Sequence, residues 1–402
     1  MLPYGNGRSY GDVCLNAGGS LLVTQGLDRF IAFDAVSGIL ECEAGVLLSD
    51  IIDLVLPVGW FPVVTPGTAF VTVGGAIAND VHGKNHHRAG SFGHCVLSLE
   101  LLRSNGEVLR CSAVECREWF QATIGGLGLT GLILTARLKL RRVAGPWIVG
   151  DSQRFSNLSE FLALASSSDS GYEYTVAWID CSRKQRLGRG LFMRGNHAEG
   201  IGGNADLVNR RPLRFRFTPP VSLINGLTVA LFNEFYYRRG AAQTPEACWH
   251  YGSYLYPLDR ILEWNRVYGP RGFFQYQCVL PLGEAPAALS EILSQIARSG
   301  QGSFLSVLKL FGDIQSRGLL SFARPGVTFA LDFPNRGAST LALLDSLDTI
   351  TRSAHGAVYP AKDARMSPAA FRDYFPAWEH FQRYVDPKFS SSFWRRVTDG
   401  VA

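Results

Sequence analysis

Glycine is the feature that most restricts the fold of this chain, because it is concentrated in short segments near the amino terminus. Three glycines occur in the string GNGRSYGD at residues 5–12, and four occur in IGGLGLTG at residues 124–131. Glycine permits sharp turns and close approach of the backbone to a ligand, and successive backbone N–H groups in such turns bind phosphate oxygens. Arg8 and Ser9 add suitable donors. Either segment alone is also typical of an ordinary turn, so only their combination favours a binding site.

A third segment contains small residues where a free surface would not require them. Pro66-Gly67-Thr68 is followed by TVGGAIANDVHGKNHH at residues 72–87. The small side chains of residues 74–78 predict a backbone that lies against a flat, bulky ligand. The three histidines suggest a metal site as an alternative, but His82 is separated from the pair, and adjacent His86 and His87 cannot easily chelate one ion from a strand. We therefore expect no metal.

The composition is that of a globular protein and argues against several functional classes. The chain has 402 residues, 47% of them hydrophobic, which is enough for more than one compact unit. The net charge of +5 comes without a Lys/Arg run, so we expect no nucleic-acid partner. The eight cysteines form no CxxC pair, which favours reduced, mostly buried thiols. No apolar run approaches the ~20 residues of a membrane span, and no secretory segment is apparent. We expect a cytoplasmic protein, or one associated peripherally with the cytoplasmic membrane.

Periodicity and turn residues predict the main elements. A short helix is expected at Ser49–Val55, with Ser49 as its N-cap, and loop from Pro57 to Gly67. Asn105-Gly106 predicts a tight hairpin, and residues 195–245 predict a long irregular loop. The remaining predicted elements are the strands Val96–Leu102, Val108–Cys111, Leu132–Leu140, Phe273–Leu280, Ser303–Leu310 and Val327–Phe333 and the helix Leu289–Ala297.

Together, the glycine-rich strings resemble the FAD-binding module of the vanillyl-alcohol-oxidase superfamily, and most closely that of the decaprenylphosphoryl-β-D-ribose oxidases. The spacing of the segments, the HGKNHH string and GSFG at 90–93 carry this similarity. It covers nearly the whole chain apart from about 195–245. Downstream, the similar strings are YPLD at 256–259, EWNRVYGP at 263–270, QYQ at 275–277, KLFG at 309–312, DFP at 332–334 and YPAKDAR at 359–365.

The resemblance implies an α+β fold. Residues 1–145 would form a two-subdomain FAD-binding domain of the PCMH type, and residues 146–356 an antiparallel-sheet substrate domain that caps the flavin. Residues 357–402 would return to the FAD-binding domain, which agrees with their being too few to fold alone. Family members have a further segment of ~30 residues before the first loop, about one βαβ unit, so the amino-terminal part is expected to be truncated.

The resemblance also implies noncovalent FAD. Many relatives bond the flavin through a histidine in a Gly-His-Ser triplet, whereas this chain has Gly7-Arg8-Ser9. The implied cofactor-binding residues are Gly5, Asn6, Gly7, Arg8, Ser9, Tyr10, Gly11, Asp12, Gly67, Thr68, Thr72, Val73, Gly74, Gly75, Asn79, Asp80, His82, Gly83, Ile133 and Tyr359.

Oxidation of an alcohol requires a group that receives the hydroxyl proton and groups that orient the carbinol. From matching positions, the catalytic candidates are Lys362, His82 and Tyr10, with Lys362 as the first choice for contact with the reacting hydroxyl. The substrate-binding candidates are Gln275, Gln277, Lys309 and Lys362. For His82, the sequence alone favours the alternative of a core histidine bonded to backbone. For Lys309 the alternative is a solvated strand-end charge, but Lys309 interrupts an apolar run, where a buried lysine needs a partner, and this favours a function.

Family members oxidise a sugar hydroxyl on a polyprenyl phosphate to a ketone, as the first half of a 2′-epimerisation in cell-wall arabinan synthesis. A short-chain NAD(P)H-dependent reductase then completes the epimerisation. The implied partners are therefore a lipid-linked sugar phosphate, this reductase and a membrane surface. The aromatic and basic segment 232–239 would contact lipid as a loop, or is instead a partly buried helix.

Two other functions remain open from the sequence. The chain would be a sugar-lactone or alditol oxidase of the same superfamily if it acts on a free, soluble sugar. It would be a non-catalytic remnant if it takes up no FAD.

Overall fold

The computed structural model describes residues 1–182, 187–200, 213–240 and 247–398. The fold is α+β, with helices packed on mainly antiparallel sheets. The chain divides into two compact units. The first unit consists of residues 1–145, 313–324 and 360–402, and the second of residues 146–312 and 325–359. The sequence placed residues 313–324 in the second unit, but the structure packs them in the first.

The amino-terminal part of the first unit is a mixed β and α region. Its elements are β1 Leu2–Tyr4, β2 Leu21–Val23, β3 Phe30–Asp34, β4 Ile39–Glu43, α1 Leu48–Val55, β5 Trp60–Pro62, α2 Val73–Ala78, α3 His86–Ala89, β6 Val96–Leu102, β7 Val108–Ser112, α4 Arg117–Thr123 and β8 Leu132–Arg142. A sheet of order β3-β4-β8-β6-β7 carries β5 beside β8, and β1 pairs in parallel with β2. Apolar residues of the sheet and of α1 and α2 form one buried core.

The second unit is built on one large sheet. Its elements are β9 Trp147–Phe155, α5 Leu158–Ser168, β10 Tyr174–Ile179, β11 Gly190–His197, β12 Leu213–Arg214, α6 Gly226–Arg239, β13 Ala247–His250, α7 Tyr251–Leu255, β14 Ile261–Leu262, β15 Phe273–Leu280, α8 Ala285–Ser299, β16 Ser306–Phe311, β17 Gly326–Pro334, α9 Ala338–Ser353 and β18 Ala357–Val358. The eight strands β13-β9-β11-β10-β16-β17-β15-β18 are hydrogen-bonded in that order. Every pairing in this sheet is antiparallel.

The carboxy-terminal part of the first unit is helical. It contains α10 Pro368–Tyr374, α11 Trp378–Gln382 and α12 Ser392–Thr398. Phe371, Phe381 and Trp394 bring aromatic rings of the three helices together, with the Phe381 and Trp394 ring centroids 5.5 Å apart. The first and last parts of the chain meet where Ser390 donates its backbone N–H to the Met1 carbonyl at 2.9 Å.

Most of the predicted strands and the predicted hairpin are confirmed. Strands β6 and β7 pair antiparallel around Asn105-Gly106, and Gly106 has a positive φ of 89°, which a tight turn requires. The helix α1 is also confirmed, but Ser49 is not its N-cap. Leu47 occupies that position without a side-chain bond, and the N–H groups of Leu48 and Ser49 donate to the carbonyls of Val71 and Ala69. The predicted loop from Pro57 to Gly67 is wrong in part, because β5 pairs with β8 there.

The prediction of one irregular loop across residues 195–245 is wrong. Strand β11 extends to His197, and residues 226–239 form the helix α6, while residues 201–212 and 241–246 lie outside the described residues. Asn225 caps α6 by accepting hydrogen bonds from the N–H groups of Leu227 and Thr228. The helical alternative for segment 232–239 is therefore confirmed. Its weak apolar periodicity explains why the sequence did not identify the whole helix.

Candidate functional site

The loop at residues 5–12 directly follows β1, and its residues 7 and 8 are exposed. Gly7 has a φ of +58°, in the left-handed region that favours glycine. Among the described residues, the backbone N–H groups of residues 5–9 have no protein acceptor. Successive N–H groups of this kind form an anion-binding concavity. Arg8, whose guanidinium lies over the Phe70 ring at 5.7 Å, places a positive charge beside it.

This loop contacts the segment from Pro66 to Thr72, although about sixty residues separate the two in the sequence. Asn6 donates through Nδ2 to the Phe70 carbonyl at 2.7 Å. Gly5 lies so close to Thr72 that a Cβ on residue 5 would be 2.3 Å from Thr72 Oγ1. The two segments therefore lie in direct contact, and the absence of a side chain at Gly5 permits the approach.

Helix α2 follows in the same string and is held by its own polar side chains. Thr72 caps it by accepting from the Gly75 N–H at 3.1 Å, and Asn79 donates through Nδ2 to the Gly75 carbonyl at 2.9 Å. Gly74 packs against Ala44 of the core region, so the helix lies tightly on it. By contrast, a Cβ on Gly67 would meet no protein atom within 4 Å, which leaves open space beside this turn.

The third glycine-rich segment, residues 124–131, is attached to the end of α2. Gly125 and Leu127 donate their backbone N–H groups to the carbonyls of Ile77 and Ala78 at 2.9 and 2.8 Å. Gly125 has a φ of +70°. This segment thus supports α2 through backbone bonds. Ile133 lies just beyond it in β8 and is 5% exposed.

Asp80 fastens three segments of the first unit together. It is fully buried with a φ of +40°, and its carboxylate accepts from the Gly93 N–H at 2.8 Å, from Ser91 Oγ at 2.8 Å and from Ser321 Oγ at 2.6 Å. Burial raises the pKa of Asp80, while these three hydrogen bonds act in the opposite direction. Its side chain is thus directed at protein donors, and the bond from Ser321 explains why residues 313–324 belong to this unit.

His82 lies beside the same attachment point. Its side chain is 6% exposed, it bridges to Ser91 in an antiparallel backbone pairing, and its ring centroid is 5.6 Å from that of Phe322. Gly83 packs against the Thr65 backbone, where a Cβ would be 2.7 Å from the carbonyl oxygen. The structure thus places His82 close to the end of α2, beside the segment that contains Ser91.

Lys84 is a candidate that the sequence analysis did not single out. It retains partial surface exposure, yet protein atoms surround its ammonium group, and this burial lowers its pKa to about 8. A lysine that titrates near neutral pH can give or take a proton. The sequence signal that could have identified Lys84 is its position in the string HGKNHH, between a glycine and the histidines.

Tyr10 and Lys362 meet in the first unit although 352 positions separate them in the sequence. Lys362 Nζ lies 3.9 Å from the centroid of the Tyr10 ring. The Tyr10 backbone N–H donates to the Ala361 carbonyl at 2.8 Å, and Gly11 packs directly on the Asp363 carbonyl. Tyr10 is 40% exposed, so this pair lies at an accessible surface beside the loop of residues 5–9.

Three of the four predicted substrate residues, Gln275, Gln277 and Lys309, lie in the second unit on one face of its sheet, whereas Lys362 belongs to the first unit. Gln277 and Gln275 of β15 pair in register with Ala330 and Asp332 of β17, and Lys309 of β16 pairs with Thr328 of the same strand. Because side chains alternate along a strand, all of these point to one face. The other face is covered by α9, since Tyr276 and Thr351 hydroxyls are hydrogen-bonded at 2.9 Å.

Hydrogen bonds fix the two glutamines on that face. Gln277 is 4% exposed and donates to Thr328 Oγ1 at 3.0 Å, and Gln275 donates to Asp332 Oδ1 at 2.6 Å. Lys309 Nζ lies 5.8 Å from the Phe311 ring. Tyr359 is 5% exposed, donates its backbone N–H to the Gln277 carbonyl and belongs to the second unit.

The first unit has the features that a dinucleotide cofactor requires. The N–H groups of residues 5–9, which have no described protein acceptor, and the charge of Arg8 suit a diphosphate. Across the described ranges, no cluster of three or more His, Cys, Asp or Glu side chains is positioned to hold a metal ion. No helix of the described chain is long and apolar enough to cross a membrane.

Comparison with known proteins agrees with this geometry. The family model described as "FAD binding domain" matches residues 1–112. Decaprenylphosphoryl-beta-D-ribose oxidase of Mycolicibacterium smegmatis is 38% identical over 414 aligned positions, which cover 99% of this chain and 89% of the relative. An uncharacterized protein in the mprA 5′ region of Streptomyces coelicolor is 33% identical and covers 88% of this chain and all of the relative. Cytokinin dehydrogenase 2 of Arabidopsis thaliana is 31% identical over 35% of this chain and 28% of its own length.

Proposed function

Because this chain belongs to the family of FAD-dependent oxidoreductases that includes decaprenylphosphoryl-β-D-ribose oxidase, we propose that it oxidises a ribose hydroxyl carried on a polyprenyl phosphate. The observation that carries the proposal is that the similarity runs through both compact units. The match therefore includes the sheet with Gln275, Gln277 and Lys309 as well as the FAD-binding segments. A similarity confined to the FAD-binding segments would support only the assignment to FAD-dependent oxidoreductases, and not the substrate.

The first unit holds the cofactor in this proposal. The N–H groups of residues 5–9, together with Arg8, bind the diphosphate, and the small residues of α2 lie against the ring system. FAD supplies the two-electron acceptor that the oxidation of an alcohol requires. Asp80 holds the end of α2, the GSFG string and Ser321 in their mutual positions through its carboxylate.

Lys362 and Tyr10 act on the reacting hydroxyl. Their contact at 3.9 Å places an ammonium group and a phenol side by side at the edge of the diphosphate-binding loop. Lys362 orients the hydroxyl oxygen of the substrate, and the positive charge stabilises negative charge that develops there in the transition state. His82 or Lys84, both in the string that follows α2, receives the hydroxyl proton.

The second unit recognises the sugar and its phosphate. Gln275 and Gln277 are fixed by hydrogen bonds to Asp332 and Thr328, so they present amide groups in set orientations to the hydroxyl groups of a ribose. Lys309 lies on the same face and supplies the charge for the phosphate. Tyr359 supports Gln277 through its backbone hydrogen bond.

The ketone product requires a second reaction. A ketone at the oxidised carbon can be reduced to the opposite configuration only by a hydride donor, so we propose a short-chain NAD(P)H-dependent reductase as the partner enzyme. Oxidation followed by this reduction gives the 2′-epimer of the lipid-linked pentose.

A lipid-linked substrate requires contact with the membrane surface, and we propose that α6 provides it. Leu227, Leu231 and Phe235 are spaced one helical turn apart and are 64%, 63% and 61% exposed. Other strongly exposed apolar residues lie in the segment before the helix, namely Leu213, Phe217 and Val221. Arg238 and Arg239 follow at the end of the helix, where they face lipid phosphates.

The opposite face of α6 is anchored in the second unit by buried polar groups. Asn233 is fully buried and donates to Asp180 at 2.9 Å, and Arg189 links Asp180 to Glu234 at 3.0 and 2.8 Å. Tyr236 packs on Trp178 with ring centroids 5.1 Å apart. Tyr236 is thus used for packing inside the second unit. The proposed membrane contact is made by Leu227, Leu231 and Phe235 rather than by the tyrosines.

Product analysis tests the proposed reaction. The purified protein, reconstituted with FAD, is incubated with polyprenylphosphoryl ribose, and the product is trapped with a hydrazine and identified by mass spectrometry. A loss of two hydrogens from the ribose supports the proposal, and addition of the reductase partner with NADH should then give the epimer. Oxidation of free alditols with release of peroxide would identify a soluble-sugar oxidase instead. A protein that takes up no FAD would be a non-catalytic remnant.

A further inference from the structure

Arg396 of α12 connects the two segments that carry Tyr10 and Lys362. Its guanidinium donates to both oxygens of Asp12 at 2.9 and 2.6 Å, and Nη2 also donates to Asp363 Oδ2 at 3.1 Å. Asp12 ends the glycine-rich loop two residues after Tyr10, and Asp363 directly follows Lys362. One side chain near the end of the described chain thus joins the amino-terminal loop to the segment that begins at Pro360.

The surroundings of Arg396 make this link specific. Asp363 is 4% exposed at its side chain and also accepts from the backbone N–H groups of Arg365 and Met366, so its carboxylate fixes the turn after Lys362. Burial lowers the pKa of Arg396, but the hydrogen bonds and charges of Asp12 and Asp363 outweigh this effect and raise it. Arg396 is therefore the cation between two carboxylates, which would repel each other without it.

The position of Lys362 over Tyr10 depends on this arrangement. The two segments touch through the Tyr10–Ala361 backbone bond and the packing of Gly11 on Asp363. Both contacts are short-range. They fix the distance between Tyr10 and Lys362 only while the loop at residues 5–12 and the segment from Pro360 keep the same relative orientation. A bidentate guanidinium fixes both distance and angle, which a lysine ammonium cannot do.

We propose that Arg396 is a positioning residue for the oxidation, which acts by holding Asp12 and Asp363 so that Lys362 lies against Tyr10. The inference rests on the proposed role of Lys362. It predicts that loss of Arg396 slows turnover while the cofactor and the fold remain, because an error of about 1 Å in the placement of a reacting group costs roughly 100-fold in rate.

The adjacent Arg395 provides a matched control. It lies on the same helix and donates to Asn16 at 2.7 Å and to the Ala17 carbonyl at 2.8 Å, so it also ties α12 to the amino-terminal region. It forms no described bond to Asp12 or Asp363. Arg395→Ala therefore removes a comparable structural link without releasing the Lys362 segment.

The test compares FAD-loaded Arg396→Ala, Arg396→Lys, Arg395→Ala and Lys362→Met. Melting temperature, FAD dissociation constant, kcat and KM are measured for each. We expect Arg396→Ala to lose about 30- to 100-fold in kcat with KM and FAD affinity within about threefold of wild type. Arg395→Ala should keep its kcat. Guanidinium ion at millimolar concentration should restore part of the rate of Arg396→Ala and none of that of Lys362→Met.

Three results would overturn the inference. One is an Arg396→Ala enzyme with kcat within threefold of wild type. Another is a kcat loss that only parallels loss of FAD or of folded protein and is shared by Arg395→Ala. The third is an impaired Arg396→Ala beside an active Lys362→Met, which would also remove the proposed role of Lys362. An inactive Lys362→Met beside an active Arg396→Ala would leave the proposed function standing. If Arg396→Ala does not fold, the same criteria apply to Arg396→Lys.

Discussion

Replacement of Leu227, Leu231 and Phe235 by serine is expected to release the protein from anionic membranes. Each side chain is about three-fifths exposed in the folded protein. Full burial of a leucine or phenylalanine contributes roughly 1.5–3 kcal/mol, so completing their burial in the lipid interface contributes roughly 1–2 kcal/mol each. The three together contribute roughly 3–5 kcal/mol, which corresponds to a loss of about 100- to 4,000-fold in partitioning.

Electrostatic attraction is the smaller contribution at this surface. Arg238 donates to Glu234 at 2.6 Å, so its charge is partly compensated, and Arg239 lies over the Phe235 ring at 6.0 Å. A basic residue near an anionic membrane contributes about 1 kcal/mol. The double change Arg238→Ser and Arg239→Ser should therefore weaken binding by less than the triple serine variant, and mainly at low salt.

Co-sedimentation with vesicles of anionic and neutral phospholipids, at low and high salt, measures these effects. The control is Val114→Ser, which removes an apolar side chain that is 95% exposed in the first unit. We expect the control to bind as wild type does. Equal binding of the triple serine variant and the control would refute the assignment of the surface, and a wild-type protein that binds no vesicle at any salt would refute membrane contact itself.

Four further outcomes are expected from the remaining residues. The flavin should appear in the supernatant after acid precipitation, because the first glycine-rich loop contains no histidine, and flavin in the pellet would contradict this. Lys362→Met should lose turnover and retain FAD, and turnover within a few-fold of wild type would remove its assigned role. Gly11→Ala places a methyl group 1.4 Å from the Asp363 carbonyl and should lower the melting temperature and FAD affinity, by about 1–3 kcal/mol in stability, whereas Gly26→Ala, with open space, should not. In the apo-protein, burial lowers the pKa of Lys84 to about 8 from 10.5, so the unfolded chain binds more protons than the folded chain between these pH values. The free energy of unfolding should therefore rise with pH in this range, by at most about 3 kcal/mol. The variant Lys84→Met should show no such rise.

The elements that the sequence predicted well are those with strong local signals. Turn residues predict the hairpin at Asn105-Gly106, and runs of apolar residues that favour strands predict β15, β16 and β17. The structure contains all of them. Helix α6 lacked such a signal because its apolar residues lie on both sides, with Val229 and Ala230 buried and Leu227 and Leu231 exposed. The usual rule that the apolar stripe faces the core does not hold there.

The long-range links of the candidate site had no signal in the sequence. Ser321 reaches Asp80 across 241 positions, and Arg396 reaches Asp12 across 384. No periodicity relates such residues, because a serine or arginine of this kind is common on any surface. The glycine-rich strings could be recognised from local composition, whereas the groups that fix them required the folded chain.

We propose that the chain oxidises a ribose on a polyprenyl phosphate with FAD as the acceptor. Anaerobic addition of polyprenylphosphoryl ribose to the FAD-loaded protein tests it most directly, with the visible absorbance of the oxidised flavin as the readout. We expect this absorbance to be lost with one equivalent of the lipid-linked sugar, and free ribose and free alditols to leave it unchanged at the same concentration. Bleaching by a free sugar or alditol but not by the lipid-linked ribose, or no bleaching by any of them, would contradict it.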